Sequence, residues 1–69
     1  MTFKELAEQY LKDNPDGIWV EVHFNDGGIS SEIYLDEYYM TEFAYFLNSE
    51  VRDYYVDDCD YEILEVFLK

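Results

Sequence analysis

The chain has 69 residues and sets 17 Asp and Glu against 4 Lys and Arg, a formal net charge of −13, while 49% of its residues are hydrophobic and 20% aromatic. The apolar content excludes the disordered acidic class, the acidity argues against binding anionic lipid or nucleic acid directly, and the single cysteine, Cys59, excludes an intrachain disulfide. One small acidic domain over residues 1–69 is expected, with a core that at this length rarely supplies more than about 3–5 kcal/mol.

The chain opens with TFKELAEQYLKDN, in which Thr2 and Glu5 have the spacing of a capping box. Phe3, Leu6, Ala7, Tyr10 and Leu11 then recur on one face of an α-helix, and NPDG at 14–17 ends it. In IWVEVHF, residues 18–24, Ile18, Val20, Val22 and Phe24 alternate with Trp19, Glu21 and His23, the pattern of a half-buried strand. NDGG at 25–28 carries the Asp-Gly chemistry of a hairpin, and ISSEIYL at 29–35 alternates again, so a second strand is expected there.

From Asp36 to Val56 the residues Met40, Phe43, Ala44, Leu47, Val51, Tyr54 and Tyr55 fall at helical spacing, which predicts one long helix or two short ones broken near Asn48 and Ser49; the alternative is a strand at 51–56. Asp57, Asp58 and Asp60 form a polar break, and YEILEVFLK reads as a final strand with two nearly apolar faces, hence a central one. The expected fold is α+β in the order αββαβ, with helices packed on a mostly antiparallel sheet.

Reactive residues are few. His23 shares a strand face with Trp19 and Glu21 and has no Ser/His/Asp or Cys/His companions to make a nucleophilic set. Cys59 lies between Asp58 and Asp60, whose charge raises a thiol pKa and leaves it unreactive. The DGG turn lacks the lysine and context of a phosphate loop, and one Cys with one His excludes a Cys-rich zinc site. An EF-hand register with Gly17 at the invariant glycine puts Lys12 first and His23 last, which defeats it. No catalytic residue, metal or cofactor is expected, and the chain reads as a binding protein and not an enzyme.

Charge distribution is the remaining signal. Between Asp13 and Val51 there is no Lys or Arg, while Asp13, Asp16, Glu21, Asp26, Glu32, Asp36, Glu37, Glu42 and Glu50 all fall there, whereas a plain solvated surface intersperses both signs. Carboxylates two apart on a strand lie roughly 6–7 Å apart and those one turn apart on a helix about 5–6 Å, a density comparable to a nucleic-acid backbone. Tyrosines add residence to steering, because they are amphipathic anchors that receive guanidinium groups on their faces. Of the eight, Tyr34, Tyr38, Tyr39, Tyr45 and Tyr61 are expected near the surface, and Tyr10, Tyr54 and Tyr55 in the core. The expected partner-binding residues are Asp36, Glu37, Tyr38, Tyr39, Glu42, Tyr45, Glu50, Asp53, Asp57, Asp58, Asp60, Tyr61 and Glu62.

In being small, very acidic, Tyr-rich, cysteine-poor and α+β, the chain resembles the phage and mobile-element DNA mimics, among them several anti-CRISPR and antirestriction proteins. That resemblance implies inhibition without chemistry, by occupying the basic nucleic-acid site of a defence complex, with DEYYMTE and DDCDYE as contact segments. The partner is then a basic nucleic-acid-binding protein or ribonucleoprotein complex, with no direct nucleic acid and no membrane. The inhibitor would be a monomer or small homo-oligomer. With no signal-peptide pattern or long apolar run, a cytoplasmic location is expected, the host cytosol if phage-encoded. An immunity protein against a basic nuclease toxin, and an acidic adaptor of a transcription or replication protein, place similar demands on the surface.

Overall fold

The computed structural model describes residues 1–69. Helix α1 runs from Phe3 to Asp13, capped as its sequence dictates: the Glu5 N–H donates to Thr2 Oγ1, and the Thr2 N–H donates to the Glu5 carboxylate. Gly17, at φ 81°, turns the chain into β1 (Ile18–His23). A turn follows in which the Phe24 N–H donates to Gly28 O and the Gly28 N–H to Asp26 Oδ1. The remaining elements are β2 (Ile33–Leu35), α2 (Tyr39–Glu42), β3 (Val51–Asp57) and β4 (Ile63–Leu68).

The sheet order is β2-β1-β4-β3; β1 pairs parallel with β4, and both outer pairings are antiparallel. β4 is central, as its two apolar faces predict. The α+β class and the mostly antiparallel sheet stand, with α1 and the α2 segment packed on one face, but the order is αββαββ.

Two expectations are corrected. The helical periodicity of residues 36–56 gives only the single turn of α2, followed by turns through Asn48; Val51–Asp57 is the edge strand β3. The seven apolar positions mimic a helical stripe, yet Tyr54 and Tyr55 pair with Val66 and Glu65 and so point to opposite faces of the sheet. The β-branched and aromatic residues of VRDYYV favour that extended state once β4 offers a ladder. The strand expected at 29–35 is ordered as strand only from Ile33, with an isolated bridge between His23 and Ile29. Ser30 breaks the ladder there, its Oγ accepting from the Val22 N–H.

The core lies on one face of the sheet. Ile18, Val20 and Val22 of β1, Leu64, Val66 and Leu68 of β4, Leu35 and Val51 meet Phe3, Leu6 and Ala7 of α1 and Phe43, which stacks on Phe3 at 4.9 Å between centroids. Tyr10 packs against this cluster as expected, but so does Tyr39, which is half-buried instead of superficial. Tyr54 and Tyr55 are 44% and 52% exposed rather than core: Tyr55 points to the face opposite the helices, and Tyr54, on the edge strand, lies at the margin of α1 beside Leu6 and Tyr10. No helix is long and apolar enough to cross a membrane.

Candidate functional site

Strand direction decides where the acids go. β1 and β4 begin, and β2 and β3 finish, at the same end of the sheet, since the central pair is parallel and the outer pairs antiparallel. The connections around that end carry Asp13 and Asp16, then Asp36 and Glu37, then Asp57, Asp58, Asp60 and Glu62. Three segments far apart in sequence thus form one acidic end, and Lys12 in the last turn of α1 is the cation nearest it in the chain. Arg52 at the start of β3, Lys69 after β4 and Lys4 in the first turn of α1 all belong to the opposite end, as does the N-terminal ammonium, 3.4 Å from the Glu50 carboxylate.

Of the residues expected to bind a partner, Asp36, Glu37, Tyr38, Asp57, Asp58, Asp60, Tyr61 and Glu62 therefore share one end of the molecule. Tyr38 is 64% exposed and Tyr61 50% exposed. Local bonds shape these loops: Tyr38 N–H donates to Asp36 Oδ1 at 2.9 Å, and Cys59 N–H to Asp57 Oδ1 at 3.3 Å. Cys59 itself is exposed, and a hydrogen bond and charge from Asp57 push its thiol up; the direction is the expected one, but the main cause is Asp57 and not the flanking Asp58 and Asp60. Glu42 and the almost fully exposed Tyr45 belong to α2 and the turns after it, Tyr39 is half-buried there, and Glu50 lies at the far end against the N-terminus. Asp53 belongs to the sheet face described next.

That face, opposite the helices, carries no covering layer. Across it run Tyr34 of β2, Trp19, Glu21 and His23 of β1, Ile63, Glu65 and Phe67 of β4, and Asp53, Tyr55 and Asp57 of β3, in the register Trp19↔Ile63, Glu21↔Glu65 and His23↔Phe67. Trp19 meets Tyr34 edge-on at 5.1 Å, and the Phe67 ring is flanked by His23 at 4.2 Å and Tyr55 at 5.8 Å, with the Arg52 guanidinium 5.7 Å from its centroid. Tyr61 donates its hydroxyl proton to Glu32 at 2.6 Å, and that bond raises its pKa, keeping the phenol protonated.

A cluster of three titratable groups sits at the centre. His23 Nε2 and Glu65 Oε1 are 2.5 Å apart, and Glu21 completes a set whose ligand atoms all lie within 4.8 Å of one another. Glu65 is 6% exposed, the one buried charged residue in the chain. Burial, reinforced by the Glu65 charge and a hydrogen bond to it, raises the Glu21 carboxyl pKa. Sequence reasoning placed His23 and Glu21 on one face but missed Glu65 as their neighbour; the available signal was a lone acid inside the otherwise apolar run ILEVFL.

Beside the cluster, His23, Phe24, Gly28, Arg52, Phe67 and Lys69 line an open cavity of about 400 Å³. The hydrogen-bond partner of His23 is a carboxylate, so the groups assembled here can exchange protons or hold a cation. Comparison with protein-family models, with curated proteins and with solved structures finds no match to this chain.

Proposed function

We propose that the protein is a non-catalytic acidic binder that inhibits a nucleic-acid-binding defence complex by presenting a fixed array of carboxylates to the complex's basic groove. The observation that carries this is the convergence of Asp36, Glu37, Asp57, Asp58, Asp60 and Glu62 at one end of the sheet, with Lys4, Arg52 and Lys69 at the other. Solvation alone needs no such separation. The magnitude fits a charge mimic: the protein carries −13 over a longest dimension of 30 Å, and the same length of duplex DNA carries roughly 18 phosphate charges at about one per 1.7 Å. Exposed Tyr38 and Tyr61 beside the carboxylates supply faces for arginine, which lengthens residence beyond what steering gives.

The test is capture from a nucleic-acid-depleted host lysate at low and high salt, with wild type and a variant carrying Asp57, Asp58 and Asp60 changed to Lys. A nucleic-acid-binding complex retained by wild type at low salt, reduced at high salt, displaced by added DNA or RNA and lost with the triple variant supports charge mimicry. Retention indifferent to added nucleic acid, or equal for the variant, rejects it. A single basic nuclease as the retained species points instead to an immunity protein.

A further inference from the structure

We propose that Glu21, His23 and Glu65 form a binding site for one divalent transition-metal ion, of which Zn²⁺ is the natural probe, on the uncovered face of the sheet. The site is independent of the acidic end and goes beyond charge mimicry. Glu21 and Glu65 are direct partners in the parallel ladder, and like charges placed side by side on a sheet destabilise it. Glu65 is also the most deeply buried acid, on the central strand, and a buried carboxylate needs a compensating cation. His23 is its hydrogen-bond partner, whereas Arg52, the cation nearest in the sheet, lies over Phe67. A divalent ion supplies the charge that two carboxylates require.

Geometry agrees. Zinc holds imidazole nitrogen and carboxylate oxygen at about 2.0–2.2 Å, which sets tetrahedral ligand atoms about 3.4 Å apart. The three ligand atoms already fall within 4.8 Å of one another, with the His23–Glu65 pair at 2.5 Å, so small side-chain rotations that open that pair and draw Glu21 in complete the set. His23 is held by its stack on Phe67, at 4.2 Å and 18° between planes. No helix covers this face, which leaves the fourth position to water or to a partner's side chain. One imidazole with two carboxylates suits zinc and its neighbours in the first transition row. Three ligands from one flat surface fall short of the six to eight oxygens that calcium takes.

The experiment is calorimetric titration of the full chain with ZnCl₂ and with MgCl₂, in a Cys59→Ser background because the exposed thiol is a competing zinc ligand. One zinc per chain is expected, bound at least a hundredfold more tightly than magnesium. His23→Gln and Glu65→Gln each weaken it at least tenfold, while Asn at Asp57, Asp58 and Asp60 leaves it unchanged. Should either site variant fail to fold, amide and imidazole NMR shifts of the Cys59→Ser protein on adding zinc decide: changes centred on Glu21, His23 and Glu65 support the site, and changes centred on the 57–62 loop, or none, overturn it. Zinc bound no more tightly than magnesium, or undiminished in a folded His23→Gln variant, also overturns it.

Discussion

Gly17 and Gly27 both have positive φ, 81° and 93°, but their surroundings differ. A Cβ on Gly17 would stand 2.1 Å from Leu35 O, whereas one on Gly27 would meet nothing within 4 Å. Gly27→Ala therefore adds only left-handed strain of about 1–2 kcal/mol. Gly17→Ala adds a backbone collision where α1 hands over to β1, and its urea midpoint is expected to fall much further than that of Gly27→Ala. Glu5 and Glu21 make opposite pH predictions from the same ordinary value of 4.5. The Thr2 N–H holds the exposed Glu5 carboxyl below that value, so the capping box contributes stability that is present above pH 4.5 and lost as pH falls through the folded-state pKa. Glu21 is raised, mainly by burial, so its contribution is present below pH 4.5 and lost as pH rises through its folded-state pKa. Glu21→Gln should flatten the loss of metal-free stability on the alkaline side of 4.5, and Glu5→Gln should reduce the acid-side loss by removing the group that titrates. Urea midpoints across pH 3–8 check both.

Residues 43–49 belong to no long helix, yet they close the core. Phe43 is fully buried against Phe3, and Phe46 reaches the rings of Phe3 and Phe24. Phe43→Ala should cost about 3–5 kcal/mol, as much as a core of this size supplies, and leave a chain whose near-ultraviolet circular dichroism is lost. Tyr45, two residues on and 96% exposed, should tolerate alanine within about 0.5 kcal/mol. The capped start of α1 and the alternation of β1 were legible because each is a short-range pattern that local chemistry satisfies. β3 was not, since Val51, Tyr54 and Tyr55 suit a helical stripe as well as a strand, and the choice was made by Leu64, Glu65 and Val66 across the ladder. Amide exchange should show the distinction: slow on both sides of β4, and fast at alternate positions of β3 whose N–H groups face solvent.

A net charge of −13 on a molecule of 30 × 27 × 18 Å must repel itself. Thermal midpoints are expected to rise with NaCl as screening shortens the reach of that repulsion to about 8–10 Å near physiological salt. Reversing charge at the acidic end, with Lys at Asp57, Asp58 and Asp60, should raise stability while removing partner capture. Lys at Asp26, which lies toward the other end and makes no ion pair, should leave capture intact. A solubility role alone predicts that the two reversals behave alike.

Acidity, aromatic content, the capped helix, the first strand and the central character of the last one are properties of composition and short-range pattern, readable along the chain because water and the backbone enforce them locally. The gathering of Asp36, Asp57 and Glu62 at one end, and the meeting of Glu21 and His23 with Glu65 more than forty positions away, depend on a parallel β1–β4 pairing between the first and last strands of the chain. No local pattern encodes that pairing. It follows from burying Val20, Val22, Leu64 and Val66 together beneath α1, a hydrophobic gain available only once the whole chain has closed.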